Sequence, residues 1–157
     1  MAHRPPLLRD TFAAMNTISE YCIALDQGDS TRFASLFTPD GTLEVVKMSM
    51  VARGEKEIAS LCDSLSATFK GSMHLEANPT LTSLTKDLCA NESYWQAFSP
   101  EGELFSAGIH TDVLAKSSED GHWRFKSRKI YHTWTKGGGR EKEGGTWEGV
   151  APQWTEK

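Results

Sequence analysis

Apolar residues recur every three or four positions through Phe12, Met15, Ile18, Cys22 and Leu25, the spacing of a helix with one buried stripe. The pattern breaks at Gly28 and resumes after Asp29, which can cap a short second helix carrying Phe33, Leu36 and Phe37. Thr38-Pro39-Asp40-Gly41 then predicts a turn, and Thr42 to Met50, with Val45 and Val46, a strand. Gly54 introduces a third helix, striped by Ile58, Leu61, Cys62, Leu65 and Phe69 and ended at Gly71. From residue 72 the period changes to two. Met73–Leu84, Leu88–Phe98, Leu104–Lys116 and Trp123–Trp134 read as four strands, with turns at residues 99–102 and 118–121. Helices first and a run of strands joined by short turns after predict an α+β fold. Its helices pack on one face of an antiparallel meander.

Asp26 stands out against this pattern. It follows Leu25 in the last turn of the first helix, where the helix dipole disfavours a carboxylate. It is either a solvated loop acid beside Gly28 or a carboxyl turned into a cavity, where desolvation suits it to proton transfer. Strand alternation places His74, Glu76 and Asn78 on one face, and Ser106, Gly108, His110 and Asp112 on another. His110 is a substrate contact, a second acid–base group or a hydrogen-bonded core histidine. Asp112 reads as the solvated end of its strand. Asn78 can orient a carbonyl or serve a turn with Pro79. Of the adjacent Tyr94 and Trp95, one faces the pocket and the other the opposite side. Trp134 lines the pocket or packs beneath the tail, His132 reads as exposed, and Lys126, Arg128 and Lys129 as a solvated face.

Composition bounds the function. The chain has 157 residues, room for one substantial core, and a net charge of −4, which argues against nucleic acid as a partner. No apolar run approaches the roughly 20 residues of a membrane span, and Met-Ala-His-Arg-Pro-Pro is unlike a signal peptide, so a cytoplasmic setting is expected. Cys22, Cys62 and Cys89 lack metal-like spacing, and no GxGxxG loop occurs; neither metal nor cofactor is expected. Residues 1–135 read as one domain. Residues 136–157 form a Gly-rich tail carrying Trp147 and Trp154, either a floppy linker or a segment folding back over the sheet or a partner subunit.

The stretches ALDQGDSTRFASLFTPDGTLE, ARGEKEIASL, HLEANPTL, SYW and DVLAKSSEDGHWRFKSRKI occur in this order. Together they resemble the SnoaL-like branch of the NTF2-like superfamily, over about residues 10–135. The resemblance implies a cone: helices closing one side of a strongly curved antiparallel sheet around a deep apolar pocket. It also implies a homodimer. Asp26 matches the helix-end aspartate of the scytalone dehydratase type, and His74 its catalytic histidine; there the two form an Asp–His pair. The segment FSAGIHTDVLAK resembles that enzyme's pocket-lining strand and turns Ser106 inward. Leu25, Val45 and Ser99 stand where that type has two tyrosines and a second histidine, which speaks against scytalone dehydration itself. The resemblance thus implies a cofactor-free isomerase, cyclase or dehydratase acting on a hydrophobic polyketide- or terpenoid-like intermediate of secondary metabolism. Asp26 and His74 are its expected catalytic residues, with Asn78, Tyr94, Trp95, Ser106, His110 and Trp134 as substrate contacts. The alternatives are a non-catalytic binding or assembly module and an epoxide hydrolase, which needs Asp26 and Asp112 facing each other.

Overall fold

The computed structural model describes residues 8–137 together with 139 and 140. The expected N-terminal arm and most of the tail, including Trp147 and Trp154, lie outside the described residues. Helix α1 spans Leu8–Gln27 and stops where Gly28, at φ +66°, turns its amide back to the Leu25 carbonyl. Asp29 caps α2, Ser30–Ser35, by accepting the Arg32 amide at 3.0 Å. Strand β1, Phe37–Val45, passes through a short 3₁₀ turn into β2, Met50–Arg53, and then α3, Gly54–Thr68. The remaining strands are β3 Met73–Ser83, β4 Leu88–Phe98, β5 Leu104–Lys116 and β6 Trp123–Thr135. A two-residue β7, Gly139–Arg140, pairs with the end of β6.

The strands lie in the order β2-β1-β6-β5-β4-β3. Helices pack on one face of this curved sheet, as the periodicity predicts. Two expectations about β1 need correcting. It runs parallel to β6, so the sheet is mixed rather than wholly antiparallel. The predicted turn at residues 38–41 falls inside β1, where its pairing with β6 skips from Phe37 to Thr42; Pro39, lacking an amide, fits such an interruption.

The stripe of α1 is also rotated from its expected position. Ala14, Ile18, Tyr21, Cys22 and Leu25 are buried, but Phe12 is 65% and Met15 37% exposed. At about 100° per residue, Phe12 sits about 120° around the helix from Ile18, beyond the buried sector. Tyr21, Phe33, Phe37 and Phe125 form an aromatic cluster between helices and sheet, with ring centroids 4.7 Å apart for Tyr21–Phe33 and 5.1 Å for Phe37–Phe125.

Three irregularities decide which side chains face the helices. In β6 the pairing with β5 skips Lys126 and again Thr133. Each extra residue reverses the alternation. The first reversal turns Arg128 inward, where it is fully buried, instead of leaving it on a solvated face. The second turns Thr135 inward opposite Ser106 and sends Trp134 outward with Ala107. In β3, Asn78 adopts φ +54° where the pairing with β4 breaks between Ala77 and Thr80. Asn is among the residues that tolerate this conformation. Among the described residues, no helix is long and apolar enough to cross a membrane.

Candidate active site

Between helices and sheet lies a cavity of about 310 Å³. Tyr21, Cys22 and Leu25 of α1 wall one side, Leu65 of α3 and Phe69 just after it a second, and Trp95, Ser106, His110, Ile130 and His132 of the central strands a third. His74, at the start of β3, completes the wall. The lining is mostly apolar and aromatic, with a few convergent polar groups, the usual make-up of a small-molecule site.

Asp26 reaches this wall from the end of α1. Its Oδ1 lies 2.6 Å from His74 Nδ1, and its Oδ2 accepts the His74 backbone amide at 2.8 Å. One carboxylate thus grips the residue at two points, fixing both backbone and ring. The side chains are 20% and 17% exposed, partly withdrawn from solvent. With Nδ1 tied to the carboxylate, Nε2 is the ring nitrogen left for a ligand. Neither reading of Asp26 is met as stated: its carboxyl is not solvated, yet it stands behind His74 rather than on the cavity wall, and the misplaced charge at the helix terminus is held by its bonds to β3.

Deeper in the sheet sits a buried charge network that the sequence reading did not assemble. The Arg128 guanidinium donates to Asp112 through Nε at 2.8 Å and Nη2 at 2.8 Å, and to Glu76 through Nη2 at 2.8 Å and Nη1 at 3.2 Å. Asn91 Nδ2 donates to Asp112 Oδ2 at 2.8 Å, and the Ser93 hydroxyl donates to Glu76 Oε1. His110 Nδ1 lies 3.0 Å from the same Glu76 oxygen. Tyr21 and Phe125 present their ring faces to the guanidinium carbon, each 4.2 Å away. Burial alone would raise the Glu76 carboxyl, but the Arg128 charge and the His110 bond overcome it and hold the carboxyl at about 2. Burial, reinforced by the Arg128 charge, pushes the His110 imidazole below its ordinary value. Burial also pushes the Tyr21 phenol and the Cys22 thiol up, so both stay protonated. The Tyr21 hydroxyl is buried without a hydrogen-bond partner among the described residues.

Trp95, Ser106 and His110 are on the cavity wall, as expected of substrate contacts. Three expected contacts are not. Tyr94 is 43% exposed on the outer face of the sheet, because alternation gives Trp95 the inner one. Asn78 sits at the β3 irregularity, and Trp134 is turned outward by the second β6 reversal. Asp112 is 1% exposed and bound by Arg128 and Asn91, not at a solvated end, and it is not part of the cavity wall. The Asp26–Asp112 arrangement that an epoxide hydrolase needs is therefore not formed. His132, expected to be exposed, is half-buried in the cavity wall.

The signal for the network was present in part. Glu76 shares a strand face with His74, and Gly108 marks a place where chains come close: Trp95 Nε1 crosses it to donate to the Tyr131 carbonyl at 3.1 Å. Nothing in the spacing announces the skipped residue that turns Arg128 inward.

Comparison with known proteins agrees with this architecture. No curated protein matches the sequence. Among solved structures, a protein of unknown function with a cystatin-like fold from Nostoc punctiforme is 21% identical, with a TM-score of 0.74 over 82% of this chain and 95% of that one. A Novosphingobium aromaticivorans protein described as a candidate scytalone dehydratase is 21% identical, TM-score 0.70, covering 80% and 85%. ActVI-ORFA from Streptomyces coelicolor is 18% identical, TM-score 0.68, covering 79% and 97%. At these identities the likeness is one of fold, the NTF2-like fold. The family model of the SnoaL-like domain matches residues 6–129. Most of the chain is thus accounted for by one family, and it belongs to the SnoaL-like proteins.

Proposed function

We propose that this protein is a cofactor-free acid–base enzyme, an isomerase, cyclase or dehydratase acting on a hydrophobic polyketide- or terpenoid-like small molecule. The observation that carries this is the Asp26–His74 contact of 2.6 Å at the wall of an apolar cavity. Asp26 holds the Nδ1 proton and supports positive charge on the ring; Nε2 takes a proton from an activated carbon of the ligand and returns it elsewhere. The surrounding Leu25, Phe69 and Ile130 exclude water and leave the ligand little freedom. A volume of about 310 Å³ lies at the low end of the roughly 300–1,000 Å³ of ligand pockets, which suits a one- or two-ring molecule. The fold likeness to a protein described as a candidate scytalone dehydratase supports the same class of chemistry. Leu25, Val45 and Ser99 stand against scytalone itself as the substrate. The protein acts as a homodimer, paired through the outer sheet face where Leu75 and Tyr94 are exposed.

The test needs no natural substrate. Exchange of the α-protons of 2-tetralone in D₂O, followed by proton NMR, reports proton abstraction from an activated carbon directly. The wild type is expected to accelerate exchange over buffer, and His74→Gln to lower the rate at one α-position or both at least roughly tenfold with the fold intact. Binding of 2-tetralone with no acceleration, or full exchange by His74→Gln, overturns the proposal; the first outcome supports the non-catalytic binding module instead.

A further inference from the structure

Of the three imidazoles on the cavity wall, two are tied through Nδ1 to a carboxylate: His74 to Asp26 at 2.6 Å, and His110 to Glu76 at 3.0 Å. The second pair is the more rigid. The His110 ring lies stacked on Trp95, centroids 5.7 Å apart and planes 17° from parallel, and meets the edge of Tyr21 at 5.8 Å. Its Nδ1 is fixed by Glu76, which is itself clamped by Arg128, Ser93 and His110. Three sides of the ring are therefore immobilised, and the remaining edge carries Nε2. With Glu76 ionised, Nδ1 is the protonated nitrogen and donates to it, so the lone pair is on Nε2. A histidine serving only to fill the core would have both nitrogens satisfied; here no protein group among the described residues bonds Nε2, and His110 is part of the cavity wall.

We propose that Glu76–His110 is a second acid–base dyad of the same cavity, so that the protein handles protons at two positions of one ligand. This rests on the function proposed above and narrows its substrate class. The ligand is a cyclic ketone or enone that loses a proton at one carbon and gains one at another. At the His110 end, a C–H bond beside the carbonyl breaks and its electron pair stays on the ligand as an enolate. The proton forms Nε2–H, making His110 an imidazolium. Two carboxylates, Glu76 and Asp112, surround one guanidinium, Arg128. Their negative charge offsets part of the cost that burial and the Arg128 charge place on the imidazolium as it forms. The proton then returns to the ligand or leaves to solvent, restoring the neutral ring. With two fixed dyads each carbon has its own imidazole, whereas a single imidazole has to reach both.

2-Tetralone has enolisable protons on both sides of its carbonyl, at C1 and C3, and proton NMR resolves them. The wild type is expected to exchange both faster than buffer. His110→Gln is expected to slow one position at least roughly tenfold while the other, served by His74, stays within about twofold. Free imidazole is expected to restore the slowed position in His110→Ala. Equal loss at both positions without imidazole rescue means His110 is only structural, and no loss at either means it plays no part; both overturn the inference. A measurement on the wild type stands where the variants do not fold. Nitrogen-15 NMR is expected to show His110 with a protonated Nδ1 and an Nε2 resonance that moves when 2-naphthol is added. His110 resonances unmoved by 2-naphthol overturn the inference. If His74→Gln abolishes exchange but His110→Gln changes nothing, the acid–base function stands and the second dyad falls. If neither variant matters, both fall.

Discussion

A β-carbon at position 108 would stand 1.8 Å from the Tyr131 carbonyl oxygen and 2.7 Å from Trp95 Nε1. Gly108→Ala therefore forces strand β6 or the Trp95 indole to move, and is expected to cost at least about 1–3 kcal/mol in thermal or chemical denaturation. Because Trp95 also stacks on His110, the same change should weaken ligand binding. Arg128 is the other residue on which many depend. Arg128→Met leaves Glu76 and Asp112 buried without their counter-charge, a loss of about 3–5 kcal/mol by the usual behaviour of broken buried pairs. The pH dependence follows from Glu76, held at about 2 against an ordinary 4.5. A depressed carboxyl contributes stability that is fully present above the ordinary value and is lost as pH falls towards the folded one. Acid unfolding monitored by circular dichroism should therefore show stability falling between about pH 4.5 and 2, and Glu76→Gln should flatten that portion of the curve.

At the level of helices and strands, periodicity was a good guide to where elements begin and end. The predicted strands at residues 88–98 and 104–116 match β4 and β5, and Gly54 opens α3. Facing was legible only where alternation is unbroken. Trp95, Ser106 and His110 lie on regular stretches and point as a two-residue period requires. Arg128, Trp134 and Asn78 follow or sit on irregularities, and a single extra residue reverses every face beyond it. The Asp26–His74 contact was legible through resemblance and through the misplaced charge. The Glu76–Arg128–Asp112 network was not, because it depends on the reversal at Lys126. On α1 the correction is testable in the same terms. Phe12→Ser, on the exposed side, should stay within about 0.5 kcal/mol of wild type, whereas Ile18→Ala should cost about 2–5 kcal/mol.

For the whole molecule, the open sheet and its helices serve one end, a chamber with charge at its wall and little inside it. The buried network fixes β3, β5 and β6 to one another, while Asp26 fastens α1 to β3. The frame around the cavity is thus cross-braced by the same groups that surround the imidazoles. If the outer sheet face pairs two copies, Tyr94→Arg should shift the mass seen by light scattering from dimer to monomer without lowering exchange of the probe ketone. The most direct test of the acid–base site compares 2-tetralone exchange by wild type, Asp26→Asn, His74→Gln and the double variant. Residues acting as one unit lose their effect together, so at the α-position that His74 serves the double variant is expected to be within about twofold of the slower single variant, each single being at least roughly tenfold down there. Losses that multiply in the double variant, or an Asp26→Asn protein that is folded and fully active, would contradict the dyad.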